Sequence, residues 1–351
     1  MKNLCLVAFI LSALSMPLFG APKIKVGFIY VSDVASAGWS AAHDTARQSL
    51  EDELGDVVQT TAIPNVSEGA DAERVLRRLA RDHQLIFATS FGYMNAMSKV
   101  ARRFPDVRFE HATGYGQSPN LGNYQVRTYQ GRYLNGILAG GMTKTGIIGY
   151  VAPFPIPEVV RDVNAYMLGI HSVNPDAVLQ VIWTSSWNDP AKEREATDSL
   201  VRQGVDVVSH HTDGTSVVQA AEAAGIWSNA YNTDMVDYGP KTQLSAVVLN
   251  WLPFYREKTL AIINDQWKSE SLWWGLAEGV VEIASIHPKV PEALVTKLNE
   301  ARERIKKEDD IFKGPLRDQA GNLRVAAKEA IDDETLLKLD WFVEGVRSST
   351  P

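Results

Sequence analysis

Short β-forming runs that alternate with amphipathic helical ones constrain this chain more than any other feature. KVGFIYV (25–31) leads into a helical stretch over 41–54, and VVQTTAI (57–63) into DAERVLRRLARD (71–82), with apolar Val75, Leu76 and Leu79 on one face. LIFATS, YMNAMSKVARRF, VRFEHAT and NYQVRT continue the pattern as far as the helix-like YLNGILAGGMT. A second series then starts: GIIGYVA, VVRDVNAYMLGIHSV, AVLQVIWTSS, AKEREATDSLVRQG, VDVVSHHT, SVVQAAEAAG and IWSNAYN. Strand–helix alternation of this kind predicts an α/β fold with parallel sheets made of right-handed βαβ units. Two successive series predict two doubly wound lobes, a size that 351 residues can fill with about two domains.

The N-terminus departs from this pattern. A basic start, Met1-Lys2-Asn3, precedes the apolar LCLVAFILSALSMPLF and then Gly20-Ala21, which reads as a cleavable secretory signal over 1–21. Cys5, the single cysteine, lies inside it, so the mature chain has neither disulfides nor thiol chemistry. No later stretch reaches the roughly 18 consecutive apolar residues of a membrane helix, so no direct membrane insertion is expected after cleavage. A net charge of −7, with basic pairs such as Arg77-Arg78 confined to helix faces, argues against nucleic acid as a partner.

In open α/β sheets ligands sit beyond the carboxyl ends of the strands. Those positions carry Ser36 to Trp39, Thr89-Ser90-Phe91, Ser185 to Asp189, Thr212-Asp213-Gly214, Asn232-Thr233-Asp234 and Asn250-Trp251. Aromatics and small or acidic hydrogen-bonding groups dominate, and the only basic residues are His210 and His211. Such a set suits a flat, weakly polar ligand whose faces stack on rings and whose edge meets carboxylates or amides. Trp39, Phe91, Trp187, Asp213, Asp234 and Trp251 are the candidate ligand-binding residues. A lone tryptophan at a strand end is an ordinary packing residue, but three on separate strand ends favour a pocket. Trp183 and Trp227 read as core, and Trp273-Trp274 as a packed loop or hinge. Asp213 has two open readings: acceptor for a ligand N–H, or cap of the helix it precedes. Asp189, before Pro190, reads as a cap.

Signs of catalysis are missing. The histidines have no H-E-x-x-H spacing, and neighbouring His210 and His211 would point to opposite sides of a strand. There is no G-x-S-x-G elbow and no phosphate-cradling loop. Gly136, Gly140 and Gly141 lie on a helix-like stretch and are read as permitting close helix packing. A binding protein is expected, not an enzyme, with no metal or cofactor.

The chain resembles the basic-membrane-protein family of periplasmic substrate-binding proteins over about 23–345. The resemblance rests on GWSAAHD, NVSEGADAERVLRRLA, LIFATSFGYMN, FPDVRFEHATGY, IIGYVAPFPIPEVVRDVNAYMLG, SVNPDA, SSWNDPAKE, HHTD and LDWFVEGV. It implies the two-lobed type I periplasmic-binding-protein fold, each lobe a doubly wound parallel sheet with flanking helices, joined by a three-strand hinge. The lobes are expected at 22–126 plus about 252–285, and at 127–251 plus about 286–351. It also implies a small-molecule ligand in the cleft, a periplasmic location, and the permease and ATPase subunits of an ABC importer as partners.

Nucleoside-binding members resemble D-D-K-S-F-N in the first loop, where this chain has Ala35-Ser36-Ala37-Gly38-Trp39. They carry a Lys where this chain has Asn250-Trp251. Both differences remove groups that grip a sugar. The combination of GW, SSW and HTD resembles purine-nucleobase binders, adenine in particular, with Trp39 and Trp187 stacking and Asp213 reading the edge. The alternatives are a nucleoside or sugar binder of the same fold, a secreted purine-acting enzyme such as a nucleosidase, and a sensor that docks on a receptor.

Overall fold

A computed structural model describes residues 23–35 and 37–348; the expected signal peptide and Ser36 lie outside the described residues. The chain starts with β1 (Ile24–Ile29), α1 (Trp39–Leu54), β2 (Val58–Ile63), α2 (Ala70–Leu79), β3 (Leu85–Ala88), α3 (Met94–Ala101), β4 (Arg108–Ala112) and β5 (Leu121–Val126). Next come α4 (Thr128–Met142), β6 (Ile147–Ala152), α5 (Pro157–His171), β7 (Val178–Trp183), α6 (Pro190–Arg202) and β8 (Val207–His210). They are followed by α7 (Ser216–Ala224), β9 (Trp227–Asn232) and β10 (Gln243–Leu249). The remainder is α8 (Leu252–Ile263), β11 (Ser271–Trp274), β12 (Val281–Ala284), α9 (Glu292–Lys307), β13 (Leu316–Arg317), β14 (Leu323–Val325), α10 (Asp333–Leu336) and β15 (Val346–Arg347).

Two large sheets result, ordered β11-β5-β4-β3-β1-β2 and β12-β10-β9-β8-β6-β7-β15. The first is parallel throughout. In the second only β12, on the edge, runs antiparallel. Parallel strands covered on both faces read as unbroken apolar runs, and β3 (LIFA) is buried at every residue. The helices follow local rules. In α2, Ala72, Val75, Leu76 and Leu79 are buried, Asp71 and Glu73 occupy the first turn, and Arg77 and Arg78 the last, matching the helix dipole.

The chain passes between the sheets three times: from β5 to α4, from β10 to α8, and from β11 to β12. Two local expectations change. Trp273-Trp274 is not a loop but the end of β11, paired with Gln125 and Val126 on β5. Val281–Ala284, inside the segment expected for the first lobe, joins the second sheet beside β10, so the last crossing lies at 275–280.

In both sheets chain order reverses next to the first strand of the lobe, between β1 and β3 and between β6 and β8. These are the crevices where α/β folds hold ligands. Behind the second crevice, α4 and α5 pack backbone to backbone. A Cβ on Gly136 would fall on the Tyr166 carbonyl oxygen, and one on Gly169 on the Tyr133 carbonyl oxygen. Buried Arg132 of α4 pairs with buried Asp162 of α5 at 3.1 Å. The glycines therefore allow the approach that completes this ion pair. Gly136→Ala must push the helices apart, and overpacking of this kind costs roughly 1–3 kcal/mol. Thermal unfolding of the variant should show a midpoint several degrees lower, and an unchanged midpoint would contradict the close contact.

Candidate functional site

Both crevices open into one cleft, whose free space, counting the part open to solvent, is about 400 Å³. Its wall from the first lobe is Val31, Trp39, Thr89, Ser90, Phe91 and Thr113; the second lobe supplies Glu158, Trp187, His211, Asp213, Tyr231 and Asn232. Apart from Glu158 and Trp39, on the first turns of α5 and α1, these residues lie at or just past a strand's carboxyl end or on the loop that follows. Among the described residues, no Lys or Arg lines the cavity.

Trp39 stands half-buried at the first position of α1. Its indole Nε1–H donates to the Thr89 carbonyl oxygen at 2.6 Å, and Trp251 and His43 press edge-on against it with centroids at 5.1 and 4.6 Å. Its ring is thus fixed by a hydrogen bond on one side and an aromatic cluster behind. Trp187 faces the same cavity from the loop between β7 and α6, with Phe154 packed on it at 5.3 Å. Phe91 opens the turn after β3.

Asp213 does something that neither reading of the sequence foresaw. It caps a helix, but the helix belongs to the other lobe. One carboxylate oxygen accepts the Trp39 backbone N–H at 2.6 Å; the other accepts the Ser40 hydroxyl at 3.1 Å and the Ser32 hydroxyl. The N-terminus of α1, whose first N–H groups have no partner within the helix, thus finds its acceptor across the cleft. The Asp213 N–H in turn donates to the Trp187 carbonyl oxygen at 2.6 Å. Burial pushes the Asp213 carboxyl above its ordinary value, and the bonds from Ser32, Ser40 and Trp39 oppose that rise. Both oxygens are engaged by protein, so the edge-reading role expected of Asp213 is not the one its geometry serves.

Two other candidates do not reach the cavity. Trp251 is fully buried, stacked on His43 at 4.0 Å, because the chain enters the first lobe at this point and carries the ring into its core. Asp234 faces the turn after β9, where it accepts the Val236 N–H at 3.1 Å, the Gln243 amide at 2.6 Å and the Ser285 hydroxyl. Asn232, at φ +71°, turns the chain there, and Thr233 instead accepts the Gly38 N–H at 2.9 Å. Asp189 caps α6 as expected, accepting the Lys192 N–H at 3.1 Å.

Residues 23–319 match the family of PnrA-like ABC transporter substrate-binding proteins. The chain belongs to this family. It is 46% identical over 331 residues to a purine-binding protein of Brucella abortus (strain 2308), covering 94% of each chain. It is 37% identical over 331 residues to a putative ABC transporter glucose-binding protein of Haloferax volcanii, covering 93% of this chain and 81% of that one. Among solved structures, a solute-binding protein of an ABC transporter system from Aeropyrum pernix K1 superimposes with a TM-score of 0.72 at 17% identity, over 90% of this chain and 95% of that one.

In this family member Glu158 is a titratable cavity residue that the reading of strand ends passes over, along with Val31, Thr113 and Tyr231. Glu158 follows β6 after a Pro-rich loop, in the first turn of α5, where the same rule could have found it. Burial raises its carboxyl to about 6, opposed by Arg161 and Arg132. His211 beside it is pulled down to about 3, chiefly by burial, and is neutral at ordinary pH.

Two predictions follow from this geometry. An unfolded chain releases the Glu158 proton near the ordinary 4.5 and the folded one near 6, so stability falls as pH rises through that window. Glu158→Gln should therefore stabilise the unliganded protein by about 1–2 kcal/mol at pH 7.5 and by nearly nothing at pH 4.5, measured by urea unfolding. Asp213→Ala removes the acceptor at the N-terminus of α1. Small-angle scattering of the unliganded variant should give a larger radius of gyration than wild type, and equal radii would mean that other contacts hold the lobes together.

Proposed function

We propose that this substrate-binding protein captures a purine nucleobase, adenine in particular, between its lobes and delivers it in the periplasm to the permease and ATPase subunits of an ABC importer. One observation carries the reading: Trp39 from one lobe and Trp187 from the other line a single cavity with Phe91. A bare heteroaromatic ring offers two apolar faces and a polar rim, which suits ring-bearing walls from opposite sides. The absence of Lys and Arg from the wall favours a neutral ligand over a phosphorylated one. The identity to the Brucella purine-binding protein supports the ligand class.

Stacking on an aromatic side chain contributes about 1–3 kcal/mol per base, if values from single-stranded nucleic acids transfer. A ligand that touches both lobes stabilises their joined arrangement by its differential affinity for it. Asp213 serves this function as the latch between the lobes.

The resemblance to a putative glucose-binding protein favours a second reading, a pyranose stacked on the same indoles. Isothermal titration of the mature protein with adenine, adenosine, glucose and ribose separates the two. Adenine should bind most tightly, and Trp39→Ala should weaken it at least tenfold. Tightest binding to glucose, ribose or adenosine would refute the nucleobase assignment.

A further inference from the structure

We propose that Glu158, beside His211, is the specificity-determining residue of the cavity: its carboxylate presents hydrogen-bond acceptors to the ligand's edge and selects amino-substituted heteroaromatic rings over their oxo counterparts. The inference rests on the purine reading and deepens it by naming the edge that is read.

The cavity contains two carboxylates, and they are not equivalent. Asp213 is filled by Trp39, Ser40 and Ser32. Glu158 lines the same cavity, yet among the described residues its carboxylate accepts no hydrogen bond. Its nearest polar neighbour is His211 Nε2 at 3.6 Å, too long for a hydrogen bond. Its oxygens reach the cavity, so a ligand N–H entering there finds an acceptor that the described residues leave free.

The surrounding groups fix which chemistry that donor must have. His211 Nδ1 lies 3.5 Å from the Asp162 carboxylate and 3.4 Å from the Tyr150 hydroxyl. Asp162 in turn takes the Arg132 Nε–H at 3.1 Å, and the Arg132 guanidinium lies 3.5 Å over the Tyr231 ring. His211 thus stands between two carboxylates, Asp162 behind Nδ1 and Glu158 beside Nε2 at 3.6 Å. On the same wall, the side-chain oxygen of buried Asn232 has no partner among the described residues. An exocyclic amino group satisfies such a wall with two N–H donors. A carbonyl oxygen in the same place would meet further lone pairs. The charged groups around Glu158 are Arg161 and Asp162 on its own helix, Arg132 on α4 and neutral His211 after β8. Glu334 and Lys338, on and just past α10, line an adjoining cavity with it.

Discrimination of this kind is strong when a buried polar wall would otherwise be left unpaired. The experiment titrates adenine, hypoxanthine and unsubstituted purine into wild type, Glu158→Gln and Trp39→Ala, by calorimetry at pH 7.5. Wild type should prefer adenine to both other bases by at least tenfold. Glu158→Gln, which offers an amide N–H where a carboxylate stood, should reduce the adenine-to-hypoxanthine ratio at least tenfold. Trp39→Ala should weaken all three bases together and leave the ratio unchanged.

Each failure is distinguishable. If wild type binds none of the three bases, the purine reading itself fails, and this inference with it. If wild type binds hypoxanthine or unsubstituted purine as tightly as adenine, the inference alone is overturned, whatever the stability of the variants. The same holds if Glu158→Gln keeps the wild-type ratio within twofold.

Discussion

One residue gauges the distance between the two aromatic walls. The backbone N–H of Asp213 holds the carbonyl of Trp187, and its carboxylate holds the backbone N–H of Trp39. Both tryptophans are therefore referenced to a single point, and that point is also where the first turn of α1 finds its acceptor. Separate the lobes and two costs appear together: a carboxylate loses its protein donors, and the first N–H groups of α1 lose their acceptor. Gly38, at φ +135°, belongs to the same joint, since a Cβ there would collide with the Asp213 carboxylate. The width of the cavity thus follows from a backbone approach that only glycine allows.

The second lobe supports its side of the cavity differently. Instead of one latch it uses a buried polar chain, Arg132 to Asp162 to His211, held between α4, α5 and β8 and packed on Tyr231. Burying such charges is expensive unless each is paired, and the glycine contact between α4 and α5 brings the pair together. Glu158 stands at the open end of this chain with its oxygens unclaimed by protein. The structure therefore spends polar burial on holding orientation in one lobe and hydrogen bonds on holding distance between the two.

Much of this architecture was legible in the sequence. Alternating periodicity exposed both series of strands, because parallel strands and amphipathic helices leave unlike apolar patterns. Attention to strand ends found Trp39, Phe91, Trp187 and Asp213, all of which line the cavity. The same rule misplaced Trp251 and Asp234, since a strand end does not reveal which lobe the chain enters next or which way a left-handed residue turns it. Glu158 escaped because a Pro-rich loop separates it from its strand. The short edge strands β11 and β12 carry too few residues for periodicity to register. Capping chemistry was visible at Asp189, whose helix is its own, and hidden at Asp213, whose helix lies 174 positions away in sequence.

The three passages between the sheets also set the order in which the molecule can be built. The first sheet needs β11, at residues 271–274, to cover its edge strand β5, and the second is finished only by β15, at 346–347. Neither half is a continuous length of polypeptide. A chain growing from its N-terminus must carry an unfinished sheet edge through most of its synthesis and then close loops well over a hundred residues long. Loop closure at such separations delays assembly far more than it weakens the product, so contact order makes this a slow folder.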